Sequence, residues 1–126
     1  MSRIQQLLTL AQEELETADL LWKNDRYRAC ISLSYYAMYH ATQALLSLKD
    51  LNTKTRKGII QMFGQHFIKT GIFPIELARA LSDAYDMRRL SDYEETIFLS
   101  SEQSEIILNS ARSFIEQAVQ YCEKLP

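Results

Sequence analysis

The sequence predicts an all-α fold: an up-and-down bundle of four long helices and one shorter helix. Three observations predict it. Apolar residues recur at three- and four-residue steps along most of the chain, and no strand-like alternation survives. Three glycines and two prolines in 126 residues are too few for the many turns of a β-rich fold. The stretch Ala29–Leu48 carries no charged residue, and its apolar side chains fall on nearly every side of a helical wheel. A helix apolar all round is enclosed by its neighbours, so this one is read as the central rod.

The first helix is expected from about Ser2 to Lys23. Ile4, Leu7, Leu8, Ala11, Leu15, Ala18, Leu21 and Trp22 form its buried stripe, and Ser2 is a plausible N-cap. Gln12, Glu13, Glu16 and Asp19 lie off that stripe, towards water. Asn24-Asp25 breaks the pattern with turn-forming residues, which makes the first two helices an antiparallel hairpin. The second helix spans about Arg26 to Leu48. Cys30, Leu33, Ala37, Ala41, Ala44, Leu45 and Leu48 line one stripe, and Ile31, Tyr35 and Met38 begin another beside it.

A basic connector follows, and the shorter helix runs from about Thr55 to Ile68 with Ile59, Ile60, Phe63 and Phe67 inward. Gly71 is placed for the left-handed conformation that ends a helix. Pro74 suits the first turn of the next helix, with Glu76 near its positive end. That helix points Leu77, Ala78, Leu81, Ala84 and Tyr85 inward, and Arg88 is the next position of the series. A guanidinium that continues an apolar stripe needs a reason. Beyond it, Arg89 to Glu95 is expected to fray into a loop carrying acids. Ser100 with Gln103 fits a capping box for the last helix, whose stripe is Ile107, Ala111, Phe114, Ile115, Ala118, Cys122 and Leu125.

Length and composition, 47% hydrophobic and 24% charged, fit one soluble domain over residues 1–126 with a core that needs no staples. No membrane span is expected, because Ala29–Leu48 is interrupted by serines, a threonine, a glutamine and a histidine. The N-terminus lacks a signal peptide's layout, which points to the cytoplasm. Cys30 and Cys122 are expected to be two buried structural thiols. Formal charge is uneven: −3 over residues 1–19, +6 over 20–91 and −5 over 92–126. This asymmetry hints at a basic surface on an acidic protein, or else at scattered solvated charge.

For chemistry, a di-metal centre in a bundle needs inward Glu residues and Glu-x-x-His pairs. The two histidines, His40 and His66, have no carboxylate three residues before them, so no metal and no cofactor is expected. Three isolated glycines cannot build a phosphate-cradling loop. Three polar groupings remain. Tyr35, Tyr36, Tyr39 and His40 crowd one segment of the central helix, where rings would fill the core while hydroxyls reach the rim. Lys54, Arg56 and Lys57 make the connector basic, either solvated or holding the phosphate of a nucleotide or RNA. Arg88, Arg89, Asp92 and Tyr93 stand at the end of the fourth helix, with Arg88 and Asp92 at an i, i+4 step.

Ser34-Tyr35-Tyr36-Ala37-Met38-Tyr39-His40-Ala41 resembles the Tyr-Tyr-Ala-x-aromatic-His-Ala signature of the HEPN family (higher eukaryote and prokaryote nucleotide-binding). The resemblance continues through Lys54-Thr55-Arg56-Lys57-Gly58, Phe67-Ile68-Lys69-Thr70-Gly71 and Arg88-Arg89-Leu90-Ser91-Asp92-Tyr93, and is nearest the small stand-alone prokaryotic branch. It implies a helical bundle, a homodimer, and a minimal nucleotidyltransferase as partner in a toxin–antitoxin-type pair. Catalytic members are metal-independent endoribonucleases with Arg, four to six residues, then His. Here Arg88 is followed at those positions by Tyr93, Glu94 and Glu95, and Arg56 stands where His is expected after Lys-Thr. A phenol with a reference pKa near ~10 is a poor proton shuttle near neutrality. Both departures favour binding over cutting.

The leading expectation is therefore a nucleotide-binding or partner-binding bundle using Arg88, Asp92, Tyr93, Tyr36, His40, Lys54 and Arg56. One alternative is an endoribonuclease using Arg88, with Tyr93 or His40 in place of the missing acid–base group. The other is an adaptor in which the Arg88 cluster only fixes its helix.

Overall fold

The computed structural model of the chain describes residues 2–93 and 99–125, with Tyr93 described by its backbone alone. The expected acidic loop at Glu94 and Glu95, and the side-chain role expected of Tyr93, lie outside the described residues.

Among the described residues five α-helices form: α1 (Arg3–Lys23), α2 (Tyr27–Leu48), α3 (Arg56–Phe63), α4 (Ile75–Tyr93) and α5 (Ser101–Glu123). Among the described residues there is no strand. Cross-helix contacts fix the directions. Glu14 meets His40 across α1 and α2, Tyr36 meets Arg88 across α2 and α4, and the Trp22 indole N–H donates to the Ser101 carbonyl across α1 and α5. Helices α1, α2, α4 and α5 thus run up, down, up and down, with α3 inserted in the longest connection. The central helix α2 packs against all the others, as its all-round apolar pattern requires.

The ends follow local chemistry. Ser2 caps α1 and Ser100 caps α5. Each hydroxyl accepts from the backbone N–H three residues on, and Gln5 and Gln103 bond back to the cap N–H. Asp25 takes a positive φ of 61° in the α1–α2 turn, a conformation Asp tolerates. Thr55 caps α3 with its hydroxyl on the Gly58 N–H at 2.9 Å. A Cβ on Gly58 would lie 2.3 Å from the Thr53 hydroxyl oxygen and 2.7 Å from that of Thr55. A larger residue there would have to displace the Thr53 hydroxyl and the Thr55 hydroxyl that caps α3. Gly71 has the expected positive φ of 78°.

Four expectations are corrected. The helix expected over Thr55–Ile68 is α-helical only to Phe63 and continues as one π-turn, Gly64–Ile68, closed by the Lys69 N–H on the Gly64 carbonyl at 3.0 Å. The fray expected after Arg88 does not occur, and α4 runs through to Tyr93. Its last turn is held from two sides. Ser91 is buried, with its hydroxyl donating to the Arg88 carbonyl at 2.9 Å, and Arg28 of α2 donates to the Ser91 carbonyl. Finally, Cys122 is half-buried rather than buried, whereas Cys30 is enclosed. Burial raises both thiols above their ordinary pKa, so neither is a ready nucleophile. Leu125, expected inward, is exposed.

The main core joins Ile31, Met38, Leu45, Ile59, Leu81 and Ile115 to a knot of rings, Phe63, Phe67, Phe73 and Phe114, capped by Tyr121. Cys30, Ala18 and Leu108 form a second, smaller cluster.

Candidate functional site

Tyr36 is the centre of the polar cluster. It lies half-buried on the side of α2 that faces α3 and α4. The Arg88 Nη2 donates to the Tyr36 Oη at 2.5 Å and the Arg56 Nη2 does so at 3.4 Å. Both guanidinium groups also lie over the Tyr36 ring, with Cζ 4.8 Å and 5.6 Å from the centroid, where the ring face attracts a cation. Arg88 additionally sits 5.8 Å from the Tyr35 ring. The reason its guanidinium continues an apolar stripe is therefore that it is received by two tyrosine rings and a phenol.

The balance of charge is positive. Asp92 reaches the Arg88 Nη2 at 3.4 Å, the i, i+4 pair, but its side chain is 45% exposed while that of Arg88 is 14% exposed. A solvated carboxylate at that distance offsets the cation only weakly. The Arg88 Nε is buried and has no hydrogen-bond partner. An unpaired donor on a buried cation is costly, and an anion that drew the guanidinium outward would relieve that cost.

One helical turn along α2, His40 stacks on Tyr36 with ring centroids 6.5 Å apart and meets Tyr39 edge-on at 5.3 Å. Its Nδ1 lies 2.6 Å from the Glu14 Oε1. The two side chains are only 20% and 16% exposed. With Nδ1 committed to the carboxylate, the neutral ring presents Nε2 as its acceptor.

The structure thus brings together four of the sequence-predicted residues, Arg88, Asp92, Tyr36 and Arg56, and sets His40 beside them. Lys54 is exposed on the connector, and among the described residues no hydrogen bond or ion pair ties it to the cluster. Tyr35 departs from expectation. Its ring fills the core, but its hydroxyl is buried without a partner instead of reaching the rim. Burial, the dominant cause, raises its pKa above the ordinary 10.0 despite nearby Arg56 and Arg88.

Sequence reasoning missed Glu14. It stands three residues after Ala11 and four before Ala18, on the border of the α1 stripe, and an acid at that border facing a histidine-bearing helix was the available signal. A cleft of about 420 Å³ between the start of α1 and the end of α2, lined by Arg3, Gln43, Asp50 and Thr53 among others, shares no residue with this cluster. Among the described residues no group of His, Cys, Asp and Glu could hold a metal ion.

The HEPN domain model matches residues 4–122. The chain belongs to the HEPN family. Among its relatives, "Putative toxin MJ0605" of Methanocaldococcus jannaschii is 35% identical over 90% of this chain and 84% of that protein. "Putative toxin MJ0142" of the same organism is 31% identical over 94% and 80%. A "UPF0332 protein" of Gloeobacter violaceus is 31% identical over 93% and 94%. The match spans all five helices, so every residue of the Tyr36 cluster lies within the HEPN domain. No helix among the described residues is long and apolar enough to cross a membrane.

Proposed function

We propose that this HEPN protein is the toxin-like component of a two-protein pair and binds the phosphate of a nucleotide or RNA at the Tyr36 cluster. One observation carries the reading. Two guanidinium groups converge on a single phenol, and the more buried of them keeps an unpartnered N–H. Planar guanidinium donors match phosphate oxygens, and charge-assisted bonds of this kind are the strong ones. The tyrosine and histidine rings alongside offer faces on which a base can stack.

The partner in this reading is a minimal nucleotidyltransferase encoded beside the gene, as the family resemblance implies, and the names of the two archaeal relatives support the toxin-like role. A homodimer is part of the same reading. Exposed Ile106 and half-buried Met87 line a shallow groove of about 320 Å³ between α4 and α5, together with Asp83, Asp86 and Gln103, a mixed face that a second copy could cover.

Isothermal titration with ATP, AMP and a short RNA, on the protein alone and with the neighbouring gene's product, tests the binding. Arg88→Met is expected to abolish the heat and Arg79→Met, on the exposed face of α4, to leave it. Absence of binding in both settings refutes the reading. If Arg88→Met only destabilises the fold, the cluster is a structural tie.

A further inference from the structure

We infer that the cleft between the start of α1 and the end of α2 binds a small zwitterion with an apolar side chain, the chemistry of a free aliphatic or aromatic amino acid. The cleft measures about 420 Å³, within the roughly 300–1,000 Å³ range of small-molecule sites. Its walls come from four parts of the chain. Arg3 and Ile4 lie at the start of α1, Leu46 in the last turn of α2, Asp50 and Leu51 in the connector, and Ile59 in α3. The two charged walls sit on fixed backbone. The Ser2–Gln5 capping box holds the turn that carries Arg3. Asp50 has a φ of 56°, its N–H donates to the Ser47 carbonyl at 3.1 Å, and the Leu51 N–H donates to the Leu46 carbonyl at 2.9 Å. Groups held in place before a ligand arrives lose less on binding it.

Charge and apolar surface together select the ligand. Arg3 and Asp50 are the only titratable side chains that line the cleft among the described residues. They do not pair with each other, and no hydrogen bond or ion pair engages either side chain among the described residues. Elsewhere facing charges do pair, Asp19 with Lys23 and Arg112, and Asp92 with Arg88. The unused guanidinium suits a carboxylate, which can accept two of its N–H bonds at once. The unused carboxylate suits an ammonium. A phosphate or a simple acid would meet Asp50 as a like charge, and a simple amine would meet Arg3 as one. A molecule carrying both signs satisfies both. Half-buried Ile4 and Leu51 keep apolar surface in water beside buried Leu46 and Ile59. An apolar side chain laid there removes that surface from water, which is favourable.

The test titrates the full chain with leucine and with phenylalanine, followed through the backbone amide signals by nuclear magnetic resonance. Isocaproate, which is leucine without its ammonium, and isoamylamine, which is leucine without its carboxylate, serve as analogues. Leucine or phenylalanine is expected to bind at millimolar concentration or below and to shift the amides of Leu46, Leu51 and Ile4. Each single-charge analogue is expected to bind about 10-fold more weakly than leucine, the loss of one charge-assisted hydrogen bond. Arg3→Met should weaken the amino acid by about 10-fold and leave isoamylamine no weaker. Asp50→Asn should weaken it equally and leave isocaproate no weaker, the pattern of two independent contacts. Asn tolerates the left-handed backbone at position 50, and both side chains are exposed, so the variants should fold as the wild type does. Arg88→Met should bind the amino acid unchanged, because the cleft shares no residue with the Tyr36 cluster. Absence of binding by both amino acids overturns the proposal. So do analogues that bind as well as leucine, shifts confined to other parts of the bundle, or binding that Arg3→Met and Asp50→Asn leave unchanged.

Discussion

Two aromatic clusters lie within the bundle and are spaced almost alike. In the phenylalanine cluster, Phe63, Phe67, Phe73 and Phe114 with Tyr121 have ring centroids 5.3 to 6.1 Å apart. In the tyrosine cluster, Tyr35 lies 5.6 to 6.0 Å from Tyr36, Tyr39 and Tyr85. Their surroundings differ. The phenylalanine cluster is closed by other rings, and Lys49 lies over the Phe67 ring while its ammonium donates to the His66 carbonyl at 2.7 Å. The tyrosine cluster is closed by Arg56, Arg88 and Arg89 and leaves two buried polar atoms, the Tyr35 Oη and the Arg88 Nε, without partners. The first is arranged for stability. The second keeps bonding capacity unused, which a fold gains nothing from and a ligand can use.

If that contrast is right, the largest loss of stability belongs to the phenylalanine cluster. Phe63→Ala removes a fully buried ring and should cost about 3–5 kcal/mol, read by urea denaturation. A loss below about 1 kcal/mol would mean the cluster repacks and the contrast is false. Next comes Arg88→Met, which trades a half-satisfied cation for an apolar chain of similar reach. Replacing a buried charge in this way is close to neutral for stability. The same change should weaken phosphate-ligand binding by about 10-fold or more, the worth of one charge-assisted hydrogen bond. A stability loss as large as that of Phe63→Ala would place Arg88 with the structural residues.

Tyr35→Phe sharpens the comparison further, because it converts the centre of one cluster into the chemistry of the other. Its hydroxyl has no partner to lose, so stability at neutral pH should change by less than about 1 kcal/mol. The pH dependence should change more clearly. Because burial raises the folded-state pKa of Tyr35 above 10.0, its stabilising contribution is complete below that value. It is lost as pH rises from there through the folded value. Alkaline melting curves should therefore show a shallower decline for Tyr35→Phe than for wild type, and superimposable slopes would refute this account.

The smallest effect is expected away from both clusters, at Asp19. The Lys23 hydrogen bond is the main cause that holds its pKa below the ordinary 3.8, against partial desolvation, and Arg112 adds to it. A depressed carboxyl contributes stability above its unfolded value that is lost as pH falls through the folded one. Asp19→Asn should lower the melting temperature slightly at pH 7, with the difference shrinking as pH falls below the ordinary 3.8 and through the lowered folded-state value. A difference that persists in acid would trace to packing instead of charge.

The sequence by itself determined the helices and the faces they bury, because periodicity, caps and turn residues act within a few positions of one another. Ser2, Ser100 and Gly71 do locally what their residue types predict, and the all-round apolar stretch Ala29–Leu48 is central because nothing else can cover it. The sequence also named Tyr36, Arg56, Arg88 and Asp92 as residues of interest. It could not see that α4 continues past Arg88, since that last turn is held by Arg28 from 63 positions away. Nor could it pair Glu14 with His40, 26 positions apart, or show that Tyr36 is the point where α3 and α4 each deliver a guanidinium. Those facts are set by how the helices pack. Local chemistry decides which way a side chain faces from its own helix, and only the tertiary structure decides what it meets there.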